Sequence, residues 1–219
     1  MLILLPPSEG KSEPTVGRTL DLQSLCYADQ LTPKRNEALG LVKEIGPTDS
    51  AQSVMDIYTG VLYQALGWSD LSSAARKRGE NSIHIISAAY GVLTPRDFIT
   101  PYKSTFKSGH WREPLSAIFE GRNDGLVIDC RSSTYMGAWT PPIANSVHVR
   151  VFSEIAGERK VITHMSKKFR GELVRYLLSA PKAPTTITGV LEIADNHFPA
   201  ELTPATDHAP HYLDIIIKS

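Results

Sequence analysis

Short runs of apolar, partly β-branched residues recur along the chain, and each is bounded by Gly, Pro, Ser or Asn. Such runs predict short strands at residues 2–5, 83–86, 126–129, 147–152, 160–163, 186–190 and 213–217. Between several of them the apolar residues follow helical spacing, which predicts helices at residues 33–45, 51–66, 71–78, 114–119 and 167–179. This alternation predicts an α/β fold with a mixed, partly parallel sheet flanked by helices.

Two further features refine the predicted fold. Val147, Val149 and Val151 alternate with His148 and Arg150, a pattern that favours a strand with one wet face, antiparallel at an edge of the sheet. Proline is spread along the chain instead of being gathered into a linker, so residues 1–219 are predicted to form a single domain.

Composition narrows the class of protein. With 42% hydrophobic and 21% charged residues, the 219-residue chain is too apolar for a disordered protein. A net charge of zero disfavours a globally basic nucleic-acid binder, so any anion site must be local. Cys26 and Cys130 lack CxxC spacing, and the start MLILLPP lacks a basic region before its apolar run. We therefore expect a cytoplasmic protein without a membrane span.

Charge is unevenly distributed near the carboxyl end. Six basic residues and one acid lie between residues 160 and 182, whereas residues 183–217 carry five acids and no Lys or Arg. This pattern fits a local anion site, but it equally fits pairing between the two segments or two solvated faces.

Polar turns follow four of the predicted strands. PPSEGK, SAAYG, CRSSTY and HMSKKFRG come directly after the strands that start at residues 2, 83, 126 and 160. Ligands of open α/β sheets bind at the carboxyl ends of parallel strands. If these strands are parallel neighbours, the turns share one edge of the sheet. The side chains expected to converge there are Lys11, Arg96, Arg131, Lys167, Arg170, Ser8, Ser132, Ser133, Tyr90 and Tyr135.

The helix predicted after Ser166 carries cations in its first turn. Lys167, Lys168 and Arg170 there oppose the helix dipole, and Gly171 lowers helix propensity in the same segment. Local rule-breaking of this kind is typical of functional positions. It predicts that Lys167 and Arg170 bind an anion; the alternative is a solvated helix end.

Ser8 and Lys11 have the spacing of an SxxK motif, in which a lysine activates a serine nucleophile. The companion KTG and SDN motifs are absent, so an anion-binding or positioning role is favoured, with a structural turn as the alternative. Tyr58 and Tyr90 are candidates for either core packing or the site.

A metal site near the carboxyl end is a weaker alternative. Its candidate ligands are Asp195, His197, Asp207, His208 and His211, which lack the spacing of a known metal motif. No cofactor is predicted, because GxGxxG, GxSxG and the Walker A loop are all missing from the sequence.

The same segments resemble the YaaA family of bacterial peroxide stress proteins. The matching stretches are MLILLPPSEGK, DIYTGVLYQAL, ISAAYGVLTPRDFITPYK, VIDCRSSTYMGAW and KVITHMSKKFRGELVRYLL. The resemblance implies a single cytosolic α/β domain with a positively charged cleft and a role in limiting oxidative damage by keeping intracellular iron low. It also implies DNA binding through a helix-hairpin-helix element; residues 30–50, where that element is expected, lack its glycine-hairpin signature.

Carried over residue by residue, the resemblance places twelve side chains in the cleft: Ser8, Lys11, Tyr58, Tyr90, Arg96, Tyr102, Lys103, Arg131, Ser132, Lys167, Lys168 and Arg170. The sequence thus predicts a cytosolic peroxide stress protein whose cleft binds an anionic partner, with nucleic acid as the first candidate. The alternative is an enzyme acting on a phosphorylated or carboxylated small metabolite, with a Tyr or Lys as general acid or base. Neither the oligomeric state nor a reaction is specified.

Overall fold

A mixed sheet forms the centre of the fold. The computed structural model describes residues 1–15, 18–42, 49–122, 124–155, 157–162 and 164–218. The strands within these ranges are β1 (Leu2–Leu5), β2 (Arg18–Thr19), β3 (Ser50–Ser53), β4 (Ile83–Ser87), β5 (Gly91–Leu93), β6 (Phe98–Ile99), β7 (Val127–Asp129), β8 (Ser146–Ile155), β9 (Glu158–Val161), β10 (Ala200–Thr203) and β11 (His211–Lys218).

Helices cover both faces of this sheet. Those in the described ranges are α1 (Ala28–Gly40), α2 (Val54–Ile57), α3 (Val61–Leu66), α4 (Ser73–Ser82), α5 (Ser108–Glu120), α6 (Ser133–Met136), α7 (His164–Ser179) and α8 (Ile187–Asp195). Short 3-10 turns lie at Leu22–Ser24, Trp68–Asp70 and Ile143–Asn145. Each of the described helices falls short of the length and apolarity that crossing a bilayer would require.

The main sheet is largely parallel. Its strands follow the order β10-β11-β8-β7-β1-β4-β5, and β9 lies beside the far half of β8. The five strands from β11 to β4 are parallel, whereas β10, β5 and β9 are antiparallel to their neighbours. A small second sheet has the order β2-β3-β6. The predicted single α/β domain with a mixed sheet is confirmed.

The apolar strands explain this layering. All four residues of β1 are buried, as expected for a central parallel strand covered on both faces. One face packs against α3, α7 and α8 through residues such as Leu62, Leu173 and Val190. The other face packs against α1 and α5 through residues such as Leu31 and Trp111.

The prediction for residues 147–152 was wrong about position and direction. β8 is an interior strand, parallel to β7 on one side and to β11 on the other. Its polar positions arise because Arg150 pairs with Asp214 of β11, with Arg150 Nη2 2.7 Å from Asp214 Oδ2. His148 and Arg150 therefore lie on a half-buried sheet face beside other polar groups. An interior strand of this kind and a solvent-exposed edge strand show the same alternation of apolar and polar residues.

The prediction of a strand at residues 186–190 was also wrong, because the segment starts α8. The Thr186 hydroxyl accepts a hydrogen bond from the Gly189 amide at 3.1 Å and so caps the helix. Val190 and Ala194, four residues apart, are then both buried. Capping and core packing here override the strand propensity of Thr186, Ile187 and Val190.

The segment 51–66 is not one helix but β3, α2 and α3 in succession. The break at Tyr58 and Gly60 occurs because Tyr58 forms a β-bridge with Lys11. Elsewhere α4, α5 and α7 confirm the predicted helices with shifted ends, and α1 ends at Gly40. The predicted helix end at 43–45, and residues 43–48 of the expected hairpin element, lie outside the described residues.

Gly171 allows α3 and α7 to cross at close range. A Cβ atom at this position would lie 2.1 Å from the carbonyl oxygen of Leu62 and 3.0 Å from Cβ of Ala65. The glycine is therefore explained by helix packing. The sequence suggested that Gly171 marks a functional helix, but close packing of the two helices explains this glycine more simply.

Candidate functional site

Three of the four polar turns meet at one edge of the sheet. β7, β1 and β4 are adjacent and parallel, so their carboxyl ends point the same way. The fourth strand, β9, is antiparallel to β8, yet the helix that follows it returns to the same edge. Lys167 at the start of α7 places its Nζ 3.0 Å from Oε1 of Glu9, in the turn after β1.

The turn after β1 is fixed by Ser8. The Ser8 hydroxyl donates to the Gly10 carbonyl at 2.6 Å and accepts from the Gly60 amide at 2.7 Å. A Cβ at Gly60 would fall 2.5 Å from this hydroxyl oxygen, so only glycine allows the approach. Ser8 Oγ thus has both a donor and an acceptor partner, which assigns it a structural role and leaves the SxxK nucleophile without support.

Lys11 projects from this turn onto two tyrosine rings. Its Nζ donates to the Ser8 carbonyl at 2.8 Å and lies 4.3 Å from the Tyr102 ring centroid and 5.7 Å from that of Tyr58. Burial lowers the pKa of the Lys11 amine, and the negative charge of Glu9 opposes this effect only in part. The side chain is therefore held in one place with part of its ammonium desolvated.

Tyrosine hydroxyls form a buried chain behind Lys11. The Tyr58 and Tyr102 hydroxyls are 3.1 Å apart, and the Tyr102 hydroxyl is 2.8 Å from the Ser87 hydroxyl. The Tyr90 hydroxyl donates to the Thr100 carbonyl at 3.0 Å. Burial raises the pKa of Tyr102 to about 12 and the pKa of Tyr58 well above its usual range. These phenols stay protonated at neutral pH and can donate hydrogen bonds.

A cavity of about 520 Å³ opens in front of Lys11, and we call it the Lys11 cavity. It is lined by Pro7, Ser8, Glu9, Lys11, Glu13, Ala88, Pro101, Tyr102, Lys103, Ser104 and Tyr135. Its charged lining consists of two lysines and two glutamates, so the wall is electrically balanced instead of strongly basic. Such a wall suits an anionic group that also carries hydrogen-bond donors.

A second cavity of about 550 Å³ adjoins the first and shares Ala88, Lys103 and Ser104 with it. Lys107 and His110 contribute further nitrogen donors to its wall, and Leu41 and Trp111 contribute apolar surface. The extended segment that carries Lys103 thus lies between the two cavities.

Several predicted site residues lie outside the Lys11 cavity because they are engaged elsewhere. Arg131 is buried, and its guanidinium donates to both carboxylate oxygens of Asp129 and to the carbonyls of Tyr135 and Trp139. Arg96 pairs with Glu80, because antiparallel β5 carries the chain back to the opposite end of β4. Neither side chain has the donors or the position to contact a ligand in the cavity.

The cations of α7 divide in the same way. Arg170 donates from Nη2 to the Val149 carbonyl at 3.1 Å, in the gap that β7 and β9 leave along β8. Lys168 pairs with Glu172 one turn further along the helix, at 3.6 Å. Ser132 is the N-cap residue of α6 and makes no capping hydrogen bond through its side chain. Among these, Lys167 alone reaches the turn beside the cavity, where it meets Glu9.

The carboxyl-terminal His and Asp residues are not brought together as a metal site. Across the ranges that the structure describes, three or more His, Cys, Asp or Glu side chains nowhere share a geometry that could hold a metal ion. His211 Nδ1 instead accepts a hydrogen bond from the Ala205 amide, and His197 stacks on Tyr176 with ring centroids 3.5 Å apart.

Burial also determines the state of the cysteines. It raises the pKa of the Cys130 thiol to about 12 and holds the pKa of Cys26 well above its usual range. Both cysteines are free. Because the thiolate is the reactive form, neither is a suitable nucleophile toward peroxide at neutral pH.

Sequence reasoning missed the carboxylates of the cavity. Glu9 and Glu13 flank Lys11 in the SEGKSE stretch, so the sequence shows that they lie close to Lys11. A prediction based on basic residues does not include them. Lys107 and His110 had no sequence signal, since their place beside the site depends on how the segment after Tyr102 crosses the sheet edge.

Comparisons with known proteins show the family to which the chain belongs. The family model described as "Peroxide stress protein YaaA" matches residues 1–198. A UPF0246 protein of Streptomyces coelicolor is 33% identical, with 99% of this chain and 98% of the relative covered. A UPF0246 protein of Corynebacterium efficiens is 34% identical over 89% of this chain and 91% of its own length. The chain therefore belongs to the YaaA family of peroxide stress proteins.

Proposed function

We propose that the chain serves the peroxide stress response by binding a small phosphorylated or carboxylated molecule in the Lys11 cavity. The observation that carries this proposal is that Lys11 and Lys103 both open on that cavity. A cytoplasmic location remains part of the proposal.

Both lysines have donors to offer a ligand. An ammonium group carries three N–H donors, and Lys11 uses one of them for the Ser8 carbonyl. Within the described part of the chain, Lys103 has neither an ion-pair partner nor a hydrogen-bond partner, and its side chain is exposed at the cavity. A charge-assisted hydrogen bond from either group to an anion contributes roughly 1.5–3 kcal/mol.

The size and charge of the cavity favour a small ligand over a polynucleotide. A volume of about 520 Å³ is in the range of small-molecule sites. Cations that a DNA-binding surface would use are engaged within the protein: Arg131 with Asp129, and Lys168 with Glu172. Lys167 is paired with Glu9, so its charge is partly neutralised beside the cavity.

Binding by isothermal titration calorimetry tests this proposal, with inorganic phosphate and citrate as probes. We expect measurable affinity in the wild type and a loss of about tenfold to a hundredfold in Lys103→Gln, as expected for one charge-assisted contact. Lys182→Gln is the matched control, because it removes the same charge from an exposed position outside the cavity. Equal affinity in all three proteins would contradict the proposal.

A parallel titration with duplex DNA addresses the other candidate partner. Contacts to phosphates make log K fall with log salt by about 0.9 per phosphate contacted. We expect no such salt-dependent binding at physiological ionic strength. Tight, steeply salt-dependent binding that Lys103→Gln leaves unchanged would show that the functional surface lies elsewhere.

A further inference from the structure

Lys11 is held in place by several contacts and yet lines an open cavity. The β-bridge to Tyr58 fixes its backbone, and the Ser8 carbonyl and the Tyr102 ring fix its Nζ. Lys11 also lines a cavity large enough for a small organic molecule. Partial desolvation raises the neutral fraction of this amine, a property that anion binding alone does not require.

The direction of the pKa shift is consistent with an amine that acts as a nucleophile. Burial lowers the pKa of Lys11, which increases the neutral fraction of its amine near neutral pH. Neutral lysine amines in partly desolvated sites react with carbonyl compounds. The other candidate nucleophile of the turn, Ser8 Oγ, is occupied by Gly10 and Gly60.

We propose that Lys11 forms an imine with the carbonyl group of a small aldehyde or ketone acid, whose anionic group Lys103 holds in the same cavity. This inference rests on the proposed function, since it needs an anion-carrying ligand at Lys103. It assigns the two lysines different tasks: Lys103 positions the ligand, and Lys11 reacts with it.

The step is balanced without an oxidant or a reductant. The lone pair of neutral Nζ attacks the carbonyl carbon, and the carbonyl π electrons move to oxygen. Both protons of the amine pass to that oxygen, which leaves as water while the C=N bond forms. Tyr135 lines the cavity, and its phenol pKa is raised, first by burial and then by Glu9. It remains protonated at neutral pH and relays one of the two protons: its phenol donates to the departing oxygen and is reprotonated by the amine.

Reductive trapping tests the inference, with glyoxylate as the probe and cyanoborohydride as the trapping reagent. Glyoxylate carries an aldehyde next to a carboxylate, and reduction of its imine leaves a stable carboxymethyl group on the lysine. At neutral pH we expect peptide mass mapping to find this group first and predominantly on Lys11. Lys11→Arg, which keeps the charge, should lose the early modification, and Lys103→Gln should slow it.

The controls separate this inference from the proposed function. Lys182→Gln should react like the wild type, and inorganic phosphate should protect Lys11. Modification spread evenly over the lysines, with phosphate still bound in calorimetry, would overturn imine formation and leave the anion site standing. If neither phosphate nor citrate binds, the proposed function itself fails.

Discussion

Replacement of Gly171 by alanine tests the packing of α3 against α7, on which the position of α7 at the sheet edge depends. The added Cβ would lie 2.1 Å from the Leu62 carbonyl oxygen. This is 0.9 Å less than 3.0 Å, the shortest distance at which Cβ atoms normally contact other heavy atoms. The obstacle is backbone, which cannot rotate away as a side chain can. The two helices must therefore separate.

The expected magnitude follows from two opposing effects. Overpacking typically destabilises by about 1–3 kcal/mol, and replacing glycine by alanine in a helix gains about 1 kcal/mol. Because the obstacle is backbone, the upper part of that range applies, about 2–3 kcal/mol, and we expect a net loss of about 1–2 kcal/mol. In a domain of this size that corresponds to a fall in melting temperature of roughly 2–8 °C.

Thermal unfolding followed by circular dichroism measures this change. Gly109→Ala in α5 is the matched control, because its added Cβ meets no atom within 4 Å. It should leave stability unchanged or raise it by up to about 1 kcal/mol. If Gly171→Ala is as stable as Gly109→Ala, the close crossing of α3 and α7 is refuted and a functional reason for the glycine returns.

Three further substitutions probe the side chains around the site by denaturant unfolding. Arg170→Gln should lower the free energy of unfolding by about 1–3 kcal/mol, because it removes the donor to the Val149 carbonyl; unchanged stability would refute this role. Arg131→Gln should remove about 3–5 kcal/mol, because it leaves the buried Asp129 carboxylate unpaired. Burial alone would raise the pKa of Asp129, but the hydrogen bonds and charge of Arg131 lower it by more, so the net pKa lies below its usual value. The stability that the pair contributes is therefore complete above about pH 4 and is lost as pH falls through the lowered pKa. In Arg131→Gln burial is the dominant influence, so the pKa of the unpaired Asp129 is raised. The stability difference between wild type and Arg131→Gln should therefore shrink as pH falls from that raised pKa towards the lowered pKa of the paired carboxylate, and a constant difference would contradict the pairing. Ser8→Ala should remove about 1–3 kcal/mol through two lost hydrogen bonds, and a variant with wild-type stability would reopen the nucleophile hypothesis.

The sequence was sufficient for the architecture where local patterns and the global fold agree. The buried run of β1 and the polar turn after it predicted both a central strand and the edge at which the site lies. Residues 186–190 show the opposite case, because a Thr cap and core contacts decide between helix and strand, and neither is visible in propensity.

The candidate site was predictable only in part, for a physical reason. Lys11, Tyr102 and Lys103 were expected near one another and do line one cavity. The arginines were predicted to line the same cavity. A guanidinium buried beside a carboxylate or a free carbonyl, however, uses its N–H donors for hydrogen bonds within the protein. Arg131 follows this rule with Asp129, two residues before it. Arg170 follows it in part: Nη2 donates to the Val149 carbonyl, which becomes its neighbour only after the sheet has formed, whereas Nε is buried with no hydrogen-bond partner among the described residues.

Survival of bacteria under hydrogen peroxide tests most directly whether the Lys11 cavity carries the function in the peroxide stress response. A bacterial strain lacking its own family member would be supplied with the wild-type chain, Lys103→Gln or the control Lys182→Gln, at matched protein levels, and challenged with hydrogen peroxide. We predict that the wild type and Lys182→Gln restore survival, whereas Lys103→Gln, folded and equally abundant, does not. Full protection by Lys103→Gln would contradict the claim that anion binding in the Lys11 cavity carries the function.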